Sequence, residues 1–213
     1  MNKDIADIRK EYQMQSLLET DVAGDPFEQF TRWWDEALKS ELDEVNAMTL
    51  ATASASGMPS ARIVLLKAAS DKGFVFFTNY TSQKAKELEE NPFACLVFFW
   101  KELERQIRIT GTIEKVSAAE SDEYFNSRPA GSRIGAWASP QSSIIPSRET
   151  IEKNIEKYEL QFDGAEITRP SFWGGYIVRP TVIEFWQGRP NRLHDRIQYS
   201  KPDGLWTLVR LAP

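Results

Sequence analysis

From Ala47 onward the chain is built of short runs rich in β-branched and aromatic residues, each closed by Gly, Pro, Asn or Asp turn signals. The runs 47–53, 61–68 and 74–79 are separated by Ser56-Gly57 and Asp71-Lys72-Gly73. Further runs at 93–100 and 105–115 follow. After Pro170 come 172–178, 181–187, 194–199 and 205–210, turned by Arg179-Pro180, Gln187-Gly188 and Asp203-Gly204. This punctuation predicts antiparallel strands in a meander.

Helical signals are fewer. Asp25, Pro26 and Glu28 occupy N-cap, first-turn and N3 positions ahead of Phe27, Phe30, Trp34, Ala37 and Leu38 at helical spacing. Thr81 or Ser82 caps a short helix to about Glu90, which Asn91-Pro92 ends. Residues 117–127 and 147–162 read as two more helices, the second carrying Ile151, Ile155, Tyr158 and Phe162 on one side. Between them, Arg128 to Pro146 reads as one long Gly, Ser and Pro-rich loop, of the kind that tends to be functional. Residues 1–24 read as an arm or lid, and 25–213 as a single domain. The expected class is mainly β with peripheral helices (α+β): a β-barrel decorated by helices.

Composition excludes several function classes. At 41% hydrophobic residues the chain can bury a sizeable core, so it is not a disordered protein. A formal charge of −5 opposes general nucleic-acid binding, so any basic cluster serves a local anion such as a phosphate or carboxylate. Cys95 is the only cysteine, which rules out an intrachain disulfide and fits a reducing compartment. The first residues lack an apolar core of signal-peptide length, and the apolar run 93–100 is too short to span a bilayer. A cytoplasmic protein with no membrane partner is the expectation.

His194, the only histidine, stands between Arg192 and Arg196. On a strand these three share one face, a cationic comb that can handle a proton, while Leu193 and Asp195 take the other. On a helix the two arginines stack one turn apart and His194 points elsewhere. An exposed polar edge strand is the plainer reading. With no second histidine there is no typical zinc site, and no metal is expected.

Other segments carry donors for an anion. Arg62-Ile63-Val64-Leu65-Leu66-Lys67 has a cation at each end, on opposite faces of a strand, so both can reach one ligand only around a strand end or a bulge. In 77–84, Phe77 and Thr78 lead into a helix start with Gln83 and Lys84, where free amides and the dipole favour phosphate, although ordinary capping explains the hydroxyls as well. The glycine-rich fingerprints of dinucleotide and nucleotide folds are absent. Gln106, on a strongly patterned strand, can meet the polar edge of a heterocycle. Tyr124, Arg128 and Ser132 form a second anion set, and Gln141, Ser142 and Ser143 add amide and hydroxyl donors. Trp186 offers a flat apolar surface beside a planar ligand.

These segments, with RIVLLK at 62, SRP at 127, IGAW at 134, QSS at 141, SFWGG at 171, EFWQG at 184, NRLHDR at 191 and the terminal RLAP at 210, resemble the pyridoxine/pyridoxamine 5′-phosphate oxidase family over nearly the whole chain. The resemblance implies an FMN-binding antiparallel split barrel that works as a homodimer through C-terminal dimerisation strands. It implies FMN contacts from Arg62, Ile63, Val64, Leu65, Leu66, Lys67, Phe77, Thr78, Gln83, Lys84, Gln106, Gln141, Ser142, Trp186 and Arg196. Substrate phosphate falls to Lys67, Tyr124, Arg128 and Ser132. Arg192, Leu193 and His194 approach the pyridine ring, with Arg192 and His194 as the catalytic pair, and Arg9, Lys10, Glu11 and Tyr12 close over the substrate.

The implied chemistry is oxidation of pyridoxine or pyridoxamine 5′-phosphate at C4′ to pyridoxal 5′-phosphate, with FMN taking hydride, dioxygen accepting the electrons and hydrogen peroxide leaving. Three departures stand out. Gln83 replaces a common arginine and predicts weaker FMN retention, Phe77 replaces a frequent tyrosine, and Glu44 replaces a frequent aspartate. Two other readings use the same features: another FMN split-barrel enzyme of the flavin-reductase kind, or a non-catalytic binder of pyridoxal phosphate or single-stranded nucleic acid. Only a phosphorylated pyridine substrate needs Tyr124, Arg128, Ser132, Arg192 and His194 together.

Overall fold

A computed structural model describes residues 10–213. Nine strands form one sheet: β1 (Ala47–Ala53), β2 (Pro59–Leu65), β3 (Ala68–Ser70), β4 (Gly73–Asn79), β5 (Phe93–Trp100), β6 (Arg105–Lys115), β7 (Trp173–Gln187), β8 (Asp195–Ser200) and β9 (Thr207–Leu211). Their hydrogen-bonded order is β2-β1-β5-β6-β7-β4-β3, with β8 beside β7 and β9 beside β8. Among the described residues five α-helices accompany them: α1 (Pro26–Lys39), α2 (Gln83–Glu90), α3 (Ala118–Ser127), α4 (Ala130–Ala138) and α5 (Glu149–Gln161). No helix among the described residues is long and apolar enough to cross a membrane. The chain gathers into two compact units, one of residues 10–49, Cys95–Gly111 and Pro180–Pro213, the other of Leu50–Ala94 and Thr112–Arg179.

In the first unit, α1 starts where the sequence predicts. The Asp25 carboxylate accepts the N–H groups of Phe27 at 2.8 Å and Glu28 at 3.1 Å, satisfying two of the free donors of the first turn. The buried face is Phe30, Trp33 and Ala37; Leu38, expected on it, is 56% exposed. Trp33 meets Phe185 edge-on at 5.2 Å, and Phe185 meets Tyr199 at 5.7 Å. Because Phe185, Tyr199, Ile107 and Ile183 are fully buried, truncating any one costs both transfer energy and a cavity, about 3–5 kcal/mol for an aromatic. β7 pairs antiparallel with β8 from Val182↔Ser200 to Gln187↔Asp195.

This core also holds a cation. Arg105, 4% exposed, donates to Gln187 at 2.9 Å, to Glu36 at 2.6 Å and to Gln15, and lies 4.3 Å from the Trp33 ring. A guanidinium buried without partners would cost several kcal/mol, so this full set of acceptors is what makes the position tolerable.

The second unit is organised by β4 and β7, paired antiparallel from Phe74↔Val178 to Asn79↔Trp173. The Gly174-Gly175 pair lets side chains press on this strand: a Cβ at Gly175 would lie 2.7 Å from the Phe77 ring, and one at Gly174 would lie 2.3 Å from the Tyr80 hydroxyl. α3 begins with a capping box in which the Ser117 hydroxyl accepts from Glu120 N–H and the Glu120 carboxylate accepts from Ser117 N–H.

Three expectations change. The predicted turn at Arg179-Pro180 is absent, and β7 runs through it. Pairing with β4 ends at Val178 and pairing with β8 begins at Val182, so on that edge Pro180 sits where no N–H is needed. The loop predicted over 128–146 contains α4, whose Gly131, Ser132 and Gly135 conceal the buried pair Ile134 and Ala138. The strand that would have made Arg192, His194 and Arg196 a comb begins only at Asp195, because Asn191 and Arg192 adopt left-handed φ of 57° and 61° within a short 3₁₀ turn.

Candidate functional site

Polar cavities open in both units. In the second unit a cavity of about 360 Å³ opens where β2 ends. Its floor is aromatic: Phe77 stacks on Tyr124 with centroids 4.0 Å apart, and Trp173 lies nearly parallel to both. Arg62 and Lys67, expected on opposite faces, both line it, since β2 stops at Leu65 and Lys67 leaves its alternation to donate its N–H to Val75. Ile63, Val64 and Leu65 line it too, whereas Leu66 is buried in the core.

The polar wall is dense. Lys84 Nζ donates to Thr78 Oγ1 at 3.2 Å, Ser82 Oγ at 3.2 Å and Gln141 Oε1 at 3.0 Å. Burial and the neighbouring charge of Arg62 pull its pKa down to about 8, against the opposing pull of Glu87. An anion in this cavity would reverse that shift. Arg62 is itself held in place: NH1 donates to Thr52 and to the Leu50 carbonyl, and NH2 to Ser60 and Glu87. Burial pushes the Glu87 carboxyl up, but hydrogen bonds from Ser60, Thr52, Gln83 and Arg62 outweigh it and hold the group at about 2. Gln83 therefore spends its amide on Glu87 at 2.9 Å and does not line the cavity.

Arg128 is the exception to this saturation. It lies 4.7 Å from the Trp173 ring, lines both this cavity and an adjoining one of about 240 Å³ that includes Ser132 and Asn79, and burial lowers its pKa. Its NH1 is buried with no hydrogen-bond partner. Burying such a cationic donor without a partner costs free energy, which an anion paired with it would recover. The donor set fits phosphate on this observation. Of the residues expected to hold a substrate phosphate, Lys67, Tyr124 and Arg128 line the larger cavity and Ser132 the adjoining one, with Arg128 common to both and Lys67 Nζ 5.7 Å from the Tyr124 centroid.

In the first unit a cavity of about 670 Å³ is lined by Lys10, Glu11, Tyr12, Arg189, Arg192 and His194, with Asn191. Of the expected arm residues, Lys10, Glu11 and Tyr12 are here and Arg9 lies outside the described residues. His194 Nδ1 accepts the N–H of Arg189 at 3.1 Å, and the ring lies 4.5 Å from Trp186 and 6.0 Å from Tyr12. Burial and the charge of Arg192 lower its pKa, so the ring is neutral at physiological pH with its remaining hydrogen on Nε2. It is a donor in waiting. Leu193 is 67% exposed and does not line this cavity.

Arg196 departs from the comb: its Nε binds Glu184 at 2.8 Å and its NH1 the Ala212 carbonyl at 3.0 Å. Glu184, 2% exposed, also accepts from Arg108. Gln106, Trp186 and Arg196 belong to the first unit, and Gln141 and Ser142, the latter at φ 69°, to the second. Sequence reasoning missed Trp173, Asn79, Arg189 and Asn191 as lining residues. Trp173 was within reach, since the SFWGG segment couples an aromatic to two glycines that admit close packing.

Comparison with known proteins bears on these cavities. A family model described as pyridoxamine 5′-phosphate oxidase matches residues 34–162, and one for the pyridoxine 5′-phosphate oxidase C-terminal dimerisation region matches 173–213. The pyridoxine/pyridoxamine 5′-phosphate oxidase of Salinibacter ruber is 58% identical over 98% of this chain and 99% of its own length. That of Ralstonia pickettii is 59% identical over the same shares. Among solved structures, PhzG from Burkholderia lata, in complex with tetrahydrophenazine-1-carboxylic acid, superposes with a TM-score of 0.88 at 28% identity, covering 94% of this chain and 100% of that one. The fold is the mainly β, helix-decorated split-barrel class that the sequence predicts. A matching model over residues 34–162, a second over 173–213 and near-full-length relatives at 58–59% identity make this chain a member of the pyridoxamine 5′-phosphate oxidase family.

Proposed function

We propose that this protein is an FMN-dependent oxidase that converts pyridoxine 5′-phosphate and pyridoxamine 5′-phosphate to pyridoxal 5′-phosphate, with dioxygen as acceptor and hydrogen peroxide as product. The observation that carries the reading is the buried, unpartnered NH1 of Arg128 beside the aromatic floor and the depressed Lys84: a site preorganised for phosphate next to a planar ring. FMN held here would supply the redox chemistry, a two-electron oxidation at C4′ with dioxygen as the final acceptor.

The chain's residues bind and orient. Arg62, Lys84, Thr78, Gln141 and Ser142 hold the flavin with the 63–67 backbone and Phe77, and Gln106, Trp186 and Arg196 complete its surroundings. Gln83, committed to Glu87, acts through that carboxylate. Lys67, Tyr124, Arg128 and Ser132 grip substrate phosphate. Arg192 clamps the pyridine ring, His194 donates from Nε2 to a ring substituent, and Lys10, Glu11 and Tyr12 exclude water.

The match to a dimerisation-region model supports a homodimer in which each flavin is held by both subunits. The single cysteine suits the cytoplasm. The test is oxygen uptake. Purified protein supplied with FMN is expected to turn yellow and consume oxygen on addition of pyridoxine 5′-phosphate; protein that takes up no FMN and stays inactive would overturn the reading.

A further inference from the structure

Glu104 has no part in the roles above, yet its placement is unusual. Its backbone is left-handed, with φ of 54°, at the mouth of β6, and the residue is 2% exposed. Adjacent residues of a regular strand point to opposite faces, but Glu104 and Arg105 are both buried, and the left-handed turn makes this possible. A buried carboxylate needs partners, and the guanidinium next to it is committed to Glu36, Gln187 and Gln15.

Glu104 instead holds two segments at once. Its main-chain oxygen accepts Gly188 N–H at 2.7 Å and Gln187 Nε2 at 3.2 Å, at the strand end that leads into Arg189–His194. Its carboxylate Oε2 accepts the N–H groups of Gln13 at 2.9 Å and Met14 at 3.1 Å, and Oε1 faces Lys10 Nζ at 3.6 Å. Those residues flank Tyr12, whose ring rests on Gly188, where a Cβ would come within 2.7 Å of it, and meets Trp186 edge-on at 5.8 Å.

We propose that Glu104 is a positioning residue that docks residues 10–14 over the His194 cavity and thereby sets the affinity for the phosphorylated pyridine substrate. The proposal rests on the oxidase reading. A carboxylate suits the task because it only accepts: it can take both N–H groups while facing a lysine, whereas a glutamine amide would turn donor hydrogens toward Lys10.

The test compares the full-length FMN-loaded protein with E104G and E104Q. Glycine adopts the left-handed φ freely, so E104G removes the acceptor without straining the turn, and E104Q serves if E104G fails to fold. Amide hydrogen exchange of residues 10–16 is expected to be about tenfold faster in E104G, with KM for pyridoxamine 5′-phosphate raised about tenfold and kcat retained. E104Q falls between. FMN affinity stays within about twofold of wild type, because the arm is not part of the flavin set. Unchanged exchange overturns the proposal, and so does faster exchange with unchanged KM. If the wild-type protein fails to oxidise either substrate, the oxidase reading falls. Protection of the arm by added pyridoxal 5′-phosphate, present in wild type and lost in E104G or absent in both, then decides the docking role by itself.

Discussion

His194 Nδ1 accepts the backbone N–H of Arg189 at 3.1 Å, so the ring's tautomer is dictated by the main chain two residues beyond the end of β7's register. The bond exists only while Nδ1 is unprotonated. Burial and Arg192 keep the pKa below the usual histidine value, which favours the neutral ring in the folded state. Stability from this contact is therefore complete above the unfolded pKa of about 6.5 and is lost as pH falls through the lower folded value. Turnover is expected to hold down to pH 6.5 and fall below it. In H194Q that acid limb should disappear from the kcat/KM profile; its persistence would assign the limb to another group.

Lys84 predicts the opposite limb for flavin binding. Its pKa of about 8 in the unliganded protein means that the cationic form that attracts phosphate declines above pH 8. FMN affinity, measured by quenching of flavin fluorescence, should be flat below pH 7 and weaken through pH 8–9, with net proton uptake when binding is measured near pH 8. K84M should bind weakly at every pH and show no such slope.

Arg128 separates binding from stability. Its orphaned NH1 is desolvated without a compensating hydrogen bond, so R128M should leave the melting temperature unchanged or slightly raised. The same change should weaken capture of the substrate phosphate by about 2–3 kcal/mol, seen as a rise in KM with a much smaller effect on FMN affinity. A large loss of stability would show that the guanidinium has a structural partner.

Glu87 anchors Arg62 from behind. Hydrogen bonds hold its carboxyl at about 2 against the desolvation that opposes them, so its stabilising contribution is present above the unfolded value of about 4.3 and is lost as pH falls toward 2. E87A, which leaves Arg62 facing Ser60 and Thr52 without its counter-charge, should cost about 3–5 kcal/mol in denaturant melts and weaken FMN binding together with it. E87Q should recover part of both.

Much of this arrangement is legible in the sequence where local chemistry dictates structure. β1, β5 and β6 have the predicted bounds, because alternating burial and flanking turn residues leave a strand few other registers. The misses are tertiary overrides. α4 forms despite two glycines because Ile134 and Ala138 have a core to enter, and β7 passes Pro180 because Pro180 falls between the stretches paired to β4 and to β8. At the site, Arg128 and Lys67 were visible as cations. That β2 ends in time for Arg62 and Lys67 to face one cavity depends on Lys67 bonding Val75, which residue spacing does not encode. The comb at His194 dissolved for a similar reason: two left-handed residues precede the strand.

The central claim, that a phosphorylated B6 vitamer reduces the flavin, is tested most directly by anaerobic rapid mixing of the FMN-loaded protein with pyridoxamine 5′-phosphate and with unphosphorylated pyridoxamine. The visible flavin band should bleach in a single turnover with the phosphorylated compound, yield one pyridoxal 5′-phosphate per flavin and respond far more slowly to pyridoxamine. Retention of the oxidised flavin spectrum with both compounds would contradict the account.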